Sequence, residues 1–125
     1  MKVLLSIKPE FADRIFEGTK RFEYRRKIFK QPVDRVIVYA SAPTSRVIGE
    51  FEISDMLYHD LPTLWHKTSK YAGISEHTFY SYFSNKRYGY AIQIGQTLRY
   101  RNPLVLLDTY GVNPPQSYTY IQSAA

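Results

Sequence analysis

Residues 18–26 read Gly18-Thr19-Lys20-Arg21-Phe22-Glu23-Tyr24-Arg25-Arg26, near the start of a chain of 125 residues. These nine residues contain four cations, one carboxylate and two large aromatic rings. A strand that only filled a core would not need these charges, and a segment that only kept the chain soluble would not need the rings. Guanidinium and ammonium groups bind anions, and aromatic rings offer flat faces to planar groups. The stretch therefore predicts a site for an anionic, planar ligand.

The segment before this stretch fixes where it lies in the fold. Residues 2–8 are mostly apolar and predict a central strand, and Pro9 begins a helix with one apolar face that ends at Gly18. Glycine readily adopts the left-handed conformation that closes a helix, so the chain passes directly into a short strand. Side chains alternate between the two faces of a strand, so Lys20 and Glu23 cannot share a face of a regular strand. We therefore expect Lys20 to lie in the turn before the strand.

Four residues of the stretch, Gly18, Lys20, Glu23 and Arg25, have the spacing Gly-x-Lys-x-x-Glu-x-Arg. This spacing resembles the signature of the ASCH domain, a branch of the PUA-like superfamily. Three supporting segments follow the expected order, at residues 3–9, 47–51 and 88–92, so the resemblance spans roughly residues 2 to 108. It implies an α+β fold, a PUA-like small mixed β-barrel flanked by short helices.

The remaining sequence is consistent with this fold class. Residues 36–40 predict a buried strand, residues 46–58 a long strand with one apolar face, and residues 88–94 a further strand that continues past Gly95. Gly49 inside the long strand predicts a bulge or a close approach to the backbone. Two helices are expected after caps at Asp60 and Ser75. The pattern alone favours α+β and leaves open whether the sheet closes into a barrel.

The end of the chain has a different character. Leu104–Leu107 predicts a last short strand, which completes a domain over residues 1–110. Residues 111–125 are polar and turn-rich, which is typical of a partly loose tail, with one candidate edge strand at residues 118–121. A chain of this length is expected to form one domain.

Composition narrows the possible functions. There is no cysteine, which excludes disulfides and thiolate metal sites, and His59, His66 and His77 lack metal-ligand spacing, so we expect neither a metal nor a cofactor. No apolar run suits a signal peptide or a membrane span, so a cytoplasmic protein without a membrane partner is expected. Seventeen Lys and Arg against eleven Asp and Glu give a net charge of +6, which favours a polyanionic partner.

The sequence predicts a basic ligand-binding cleft. Its expected members are the cations and the carboxylate of the quoted stretch, with small or aromatic residues as walls: Lys20, Arg21, Glu23, Arg25, Ser41, Ser45 and Tyr71. The rings of Phe22 and Tyr24 can either stack on bases or fill the core, and we favour the core because aromatic strand residues are mostly buried. Glu23 can either pair with an arginine or accept hydrogen bonds from a base, and pairing is favoured.

The resemblance implies a function in RNA recognition or modification, as PUA-like domains generally have. We therefore expect an RNA or a nucleotide-like ligand, with oligomeric state open. The alternative is a small nucleoside or RNA hydrolase in which Lys20 and Glu23 are the catalytic candidates. Some ASCH relatives hydrolyse a modified cytidine with a lysine, a threonine and a downstream glutamate. Lys20 matches that lysine, but Glu23 stands at the threonine position, and no acid follows Trp65 before Glu76. A third interpretation is a protein-interaction module that uses the aromatic surplus.

Overall fold

The computed structural model describes residues 1–122. The described chain contains strands, short helices and one 3-10 turn in this order: β1 (Lys2–Ile7), α1 (Pro9–Glu17), β2 (Phe22–Arg25), β3 (Arg35–Ala40), β4 (Arg46–Asp60), α2 (Leu61–Thr68), the 3-10 turn (Ser69–Tyr71), α3 (Glu76–Tyr82), β5 (Tyr88–Leu104), α4 (Leu106–Tyr110) and β6 (Tyr118–Ile121).

The strands form one mixed sheet in the order β2-β5-β4-β3-β1-β6. β1 and β3 are parallel, and the other neighbouring pairs are antiparallel. The predicted α+β fold with short helices is therefore confirmed. Within the described strands no ladder joins β2 to β6, so the sheet is barrel-like rather than closed. The two edges are linked by a side chain, since Arg25 Nη2 donates to the Ser117 carbonyl at 2.9 Å.

The helices begin and end where local sequence predicts. α1 starts at Pro9, and Gly18 ends it with a φ of 89°. The Asp60 carboxylate accepts a hydrogen bond from the Thr63 backbone N–H and caps α2, and the Ser75 hydroxyl caps α3 in the same way. These caps satisfy backbone donors that a helix leaves unpaired in its first turn. Both caps confirm the prediction.

Gly49 marks a close approach between β4 and α1. The register of β4 against β5 shifts between Val47 and Gly49, which indicates a bulge or irregularity at this position. A Cβ atom at Gly49 would lie 2.5 Å from the Phe16 ring. The glycine therefore lets α1 pack directly on the sheet, as its place inside the strand predicted.

The predicted strand at Leu104–Leu107 is wrong. β5 ends at Leu104, and Leu106 begins α4, which ends at Gly111 with a φ of 68°. A short apolar run does not distinguish a strand from a buried helical turn by its periodicity. Leu106 is buried in a third apolar cluster together with Leu4 and Ile37.

The end of the described chain belongs to the sheet. β6 pairs antiparallel with β1, which confirms the edge strand predicted at residues 118–121. The Ser6 hydroxyl also donates to the Pro115 carbonyl at 2.8 Å. The predicted loose tail extends to residues 123–125, which lie outside the described residues, and the boundary at residue 110 stays a prediction.

Two further apolar clusters, both different from the one around Leu106, hold the sheet and helices together. The larger packs α1 against the sheet, with Val36, Phe51 and Ile92 fully buried at its centre. The second lies under α2 and α3 and includes Tyr24, which is 4% exposed, so the core interpretation of this ring is confirmed, whereas Phe22 is partly buried and packs against the cluster. No helix in residues 1–122 combines the length and the apolar character needed to cross a membrane.

A polar network on β4 is structural. Glu50 is 8% exposed, accepts a hydrogen bond from the Tyr100 hydroxyl at 2.7 Å, and pairs with Lys2 and Arg35. Burial works against ionisation, but the Tyr100 hydrogen bond and the two cations hold the pKa of Glu50 below its usual value. The carboxylate is therefore compensated, and the network links the first strand to the centre of the sheet.

Candidate functional site

A cleft of about 510 Å³ opens between β2, the start of α1, α3 and the segment before β6. Its volume falls in the range usual for small-molecule sites, roughly 300 to 1,000 Å³. Its lining combines apolar rings, hydroxyls and charges: Ser6, Ile7, Lys8, Phe11, Lys20, Glu23, Tyr24, Arg25, Ile74, Thr78, Ser81, Tyr82 and Gln116. Three of the predicted site residues, Lys20, Glu23 and Arg25, meet here.

Lys20 lies in the turn before β2, as the alternation argument predicted, and it is only 2% exposed. Its Nζ donates to the Ala72 carbonyl at 3.0 Å and lies 4.8 Å from the centre of the Tyr24 ring. Gly73 packs against the stem of the lysine: a Cβ atom there would lie 2.3 Å from Lys20 Cβ. The break between α2 and α3 therefore forms the wall that holds this side chain.

The surroundings of Lys20 alter its acidity. Burial lowers the pKa of the Lys20 ammonium, the charge of Glu23 opposes this change, and the charge of Arg14 adds to it. A lysine with a lowered pKa gives up its proton more readily than an exposed lysine does.

Glu23 and Arg25 lie side by side on the cleft. Arg25 Nη1 donates to Glu23 Oε2 at 3.3 Å, so the pairing favoured from the sequence is present. The same guanidinium holds the Ser117 carbonyl through Nη2. Both side chains are mostly buried, at 9% and 12% exposed, which fixes the arginine at the rim between β2 and the segment before β6.

Four predicted site residues lie outside the cleft: Arg21, Ser41, Ser45 and Tyr71. The Arg21 guanidinium stacks on the Tyr71 ring at 4.2 Å, and the Arg21 backbone N–H donates to the Tyr71 carbonyl, so these two residues form a separate pair. Ser41 and Ser45 belong to the turn after β3, where the Ser41 N–H donates to the Ile7 carbonyl. This turn does not line the cleft.

Several polar residues of the cleft were not predicted from the sequence. Thr78 and Ser81 are three positions apart on α3 and are therefore neighbours on the helix surface, so helical spacing carried a signal for them. Lys8 stands directly before the helix-starting Pro9 and adds a third cation. Gln116 comes from a turn-rich segment whose sequence gives no indication that it reaches the cleft.

In residues 1–122 no group of three or more His, Asp or Glu side chains is arranged to hold a metal ion. The polar groups of the cleft are three cations, several hydroxyls, an amide and the Glu23 carboxylate, and one of the cations, Lys20, has a lowered pKa.

Comparison with known proteins identifies the family. The ASCH domain family profile matches residues 5–99, which is most of the described chain. The chain belongs to the ASCH domain family. The motif residues Gly18, Lys20, Glu23 and Arg25 of this ASCH domain all fall within the matched region.

Its relatives differ in length. A protein of Zymomonas mobilis named "ASCH domain-containing ribonuclease" is 32% identical over 97% of this chain and 84% of its own length. The crystal structure of ASCH from Zymomonas mobilis superposes with a TM-score of 0.89 at 29% identity, covering 97% of this chain and 87% of that one. A Ureaplasma parvum protein named "ATP synthase subunit alpha" is 26% identical over 96% of this chain, which spans only 15% of that protein.

Proposed function

We propose that this ASCH domain binds single-stranded RNA, or a ligand with the chemistry of a nucleotide, in the cleft lined by Lys20, Glu23 and Arg25. The proposal rests on one observation. Lys8, Lys20 and Arg25 line a single cleft of about 510 Å³ together with hydroxyl and amide groups. Cations hold phosphate oxygens, and hydroxyls and amides can read a ribose or the edge of a base.

Charge favours an anionic ligand in this cleft. Three cations line it against one carboxylate, and that carboxylate, Glu23, is already paired with Arg25. The charge of Glu23 offsets only part of the cost of burying the Lys20 ammonium, since the pKa of Lys20 remains lowered, and a further anion would compensate it. A phosphate beside Lys20 and Arg25 would supply that compensation.

The name of one relative favours RNA over other polyanions as the ligand. The Zymomonas mobilis protein that is 32% identical over nearly the whole chain is named a ribonuclease, so a protein of this fold and length is described as acting on RNA. The part-exposed ring of Tyr82 in the cleft suits the same ligand, because unpaired bases are commonly held against aromatic side chains.

A second candidate function, cleavage of the bound RNA, is favoured by the lowered pKa of Lys20 together with this relative. A neutral Lys20 amine would take the proton of a ribose 2′-hydroxyl, whose oxygen then attacks the adjacent phosphorus while the 5′-oxygen leaves. Arg25 would stabilise the negative charge that develops on the phosphate, and the Lys20 ammonium would return the proton to the leaving oxygen. The cytidine-hydrolysing relatives use a downstream glutamate. Glu76, the first acid after Trp65 in this chain, does not line the cleft, so that glutamate has no counterpart there.

Binding is tested by fluorescence anisotropy with a dye-labelled uridine dinucleotide and the Arg25→Ala variant. Loss of a charge-assisted contact to phosphate is expected to weaken binding roughly 10-fold or more. Lys67→Ala is the matched control, since Lys67 is an exposed cation on α2 that does not line the cleft. Unchanged affinity of a folded Arg25→Ala protein would contradict the proposal.

Cleavage is tested on the same protein by gel analysis of labelled RNA in the presence of a metal chelator. Lys20→Met keeps the length and volume of the side chain and removes the amine, so it is expected to abolish cleavage while the circular dichroism spectrum stays unchanged. If the parent protein binds RNA and leaves it intact, the catalytic function is wrong and the binding function stands.

A further inference from the structure

A second surface lies beside the cleft and is not used by the function proposed above. It is a depression of about 340 Å³ on the loop after β2 and the paired ends of β4 and β5. We call it the tyrosine surface, and its lining residues are Arg26, Lys27, Ile28, Lys30, Tyr58, Lys86, Tyr88, Tyr90 and Tyr118. We infer that it binds the nucleotides of single-stranded RNA that extend beyond the cleft. The inference rests on the proposed function and adds a second surface that the same RNA would contact.

The rings of this surface form a short stack. Tyr58 lies opposite Tyr90 across β4 and β5, with ring centres 4.5 Å apart, and the rings of Tyr58 and Tyr88 are 5.5 Å apart and within 20° of parallel. Cross-strand pairing accounts for these contacts. It does not account for the exposure, since Tyr58 is 53% and Tyr88 49% exposed. Half-exposed rings at this spacing present flat faces on which unpaired bases can stack.

The charged side chains that line the tyrosine surface have one sign. Four cations and no carboxylate line the tyrosine surface. Arg26 is engaged, because its Nη1 donates to the carbonyls of Tyr82 and Ser84 at the end of α3. Lys27, Lys30 and Lys86 are exposed, and none of them forms a salt bridge within residues 1–122. These three ammonium groups are therefore available for phosphates.

The tyrosine surface is linked to the cleft through residues that are neighbours in the sheet and in the chain. Arg25 lies opposite Tyr90 across β2 and β5, and Tyr90 lies opposite Tyr58, so the three residues occupy one face of adjacent strands. Arg26 follows Arg25 in the chain, and Tyr118 follows Ser117, whose carbonyl holds Arg25. A phosphate at Arg25 would therefore place the next nucleotides over the rings.

Exposed rings among lysines distinguish RNA from an acidic protein segment. An acidic peptide would engage the lysines and would gain little from the stacked faces of Tyr58 and Tyr88. A polynucleotide uses both, because each phosphate meets a cation and each base meets a ring.

The test compares a uridine dinucleotide with a uridine octanucleotide. The parent protein is expected to bind the octanucleotide more tightly. Tyr58→Ala and Tyr88→Ala are expected to weaken octanucleotide binding by roughly 5- to 100-fold each, the usual effect of removing a stacking ring, and to leave dinucleotide binding unchanged. Tyr58→Phe and Tyr88→Phe keep the ring face and should retain the affinity. Circular dichroism verifies that each variant is folded.

Several outcomes would overturn the inference. Equal affinity of the parent for both oligonucleotides, or unchanged octanucleotide affinity in both alanine variants, would show that the rings do not hold bases. Displacement of the octanucleotide by polyglutamate at equal charge concentration, with the same ring dependence, would identify an acidic protein partner instead.

The variants distinguish a failure of this inference from a failure of the function proposed for the cleft. If Arg25→Ala binds the dinucleotide normally while the ring variants lose the octanucleotide, the tyrosine surface stands and the cleft fails. If Arg25→Ala loses the dinucleotide and the ring variants bind both RNAs normally, the cleft stands and this inference fails. If the parent binds neither RNA, both fail.

Discussion

Lys20 is the residue whose surroundings differ most from those usual for its type, because a long cationic side chain is 2% exposed among aromatic and backbone atoms. Its amine has one hydrogen-bond acceptor in the described structure, the Ala72 carbonyl. The next residue, Gly73, has a φ of +67° and touches the stem of the lysine. The position of the amine therefore depends on a glycine more than 50 residues away in sequence.

Gly73→Ala is expected to lower the free energy of unfolding by roughly 2 to 4 kcal/mol, because an added Cβ combines a strained left-handed backbone with overpacking against Lys20. Gly18→Ala is the matched control: its φ is +89°, but a Cβ there would touch nothing within 4 Å. The control should lose only about 1 kcal/mol, the cost of the backbone conformation alone. Urea unfolding measures both values, and equal losses would show that the contact with Lys20 does not matter.

At the scale of the elements, features encoded by neighbouring residues were predicted and features that depend on distant partners were not. The caps Asp60 and Ser75 and the terminating Gly18 act within a single turn, so their sequence signals were sufficient. The apolar run Leu104–Leu107 is compatible with a strand and with a buried helical turn. Leu106 packs in a cluster with residues of β1 and β3, which are distant in sequence, and this packing favours the helix. A signal existed in Gly111, since glycine commonly follows the end of a helix.

The site divides in the same way. Lys20, Glu23 and Arg25 were found because they belong to one short segment, whereas the rest of the cleft comes from α1, α3 and the segment before β6. Tyr71 was a reasonable candidate wall, but its ring pairs with Arg21 outside the cleft. Only the packing of the helices on the sheet determines which side chains share a cavity, and that information is not local.

β6 provides the test of the predicted boundary at residue 110. A chain of residues 1–110 would lose the strand paired with β1, the Tyr118 ring that packs on Phe29, and the carbonyl that holds Arg25. We expect the free energy of unfolding to fall by at least about 3 kcal/mol, since two part-buried tyrosines leave the core. The newly exposed edge of β1 should also promote aggregation, seen by size-exclusion chromatography.

Thr119→Ala is the control. It keeps β6 and shows how much a single side-chain change in this strand alters the stability of the protein. Its urea unfolding midpoint should lie close to that of the parent. If the shortened chain unfolds at the parent midpoint, residues 111–122 are an appendage and the boundary at residue 110 is right.

Across the whole molecule the net charge of +6 is unevenly distributed. Several carboxylates are neutralised by cations away from the tyrosine surface: Glu50 and Glu52 by Arg35, and Asp13 by Arg99. The lysines of the tyrosine surface have no such partners in the described chain. These lysines add unneutralised positive charge beside the cleft, where it can attract a polyanion over distances of about 8 to 10 Å at moderate salt.

This distribution predicts how salt affects RNA binding. If Arg25 and three lysines each neutralise one phosphate of the octanucleotide, the logarithm of the affinity should fall with the logarithm of salt concentration with a slope of about −3, because single-stranded ligands contribute about −0.7 for each contact. Lys86→Ala should make the slope shallower by about 0.7, and Lys67→Ala should leave it unchanged.

Tyr88→Ala separates the two kinds of contact, because it removes a stacking face and no charge. Its affinity should drop at every salt concentration while the slope stays that of the parent. Anisotropy titrations at several salt concentrations measure all four proteins. A slope near zero for the parent, or a Tyr88→Ala variant whose loss disappears at high salt, would mean that the rings act only by positioning the neighbouring cations.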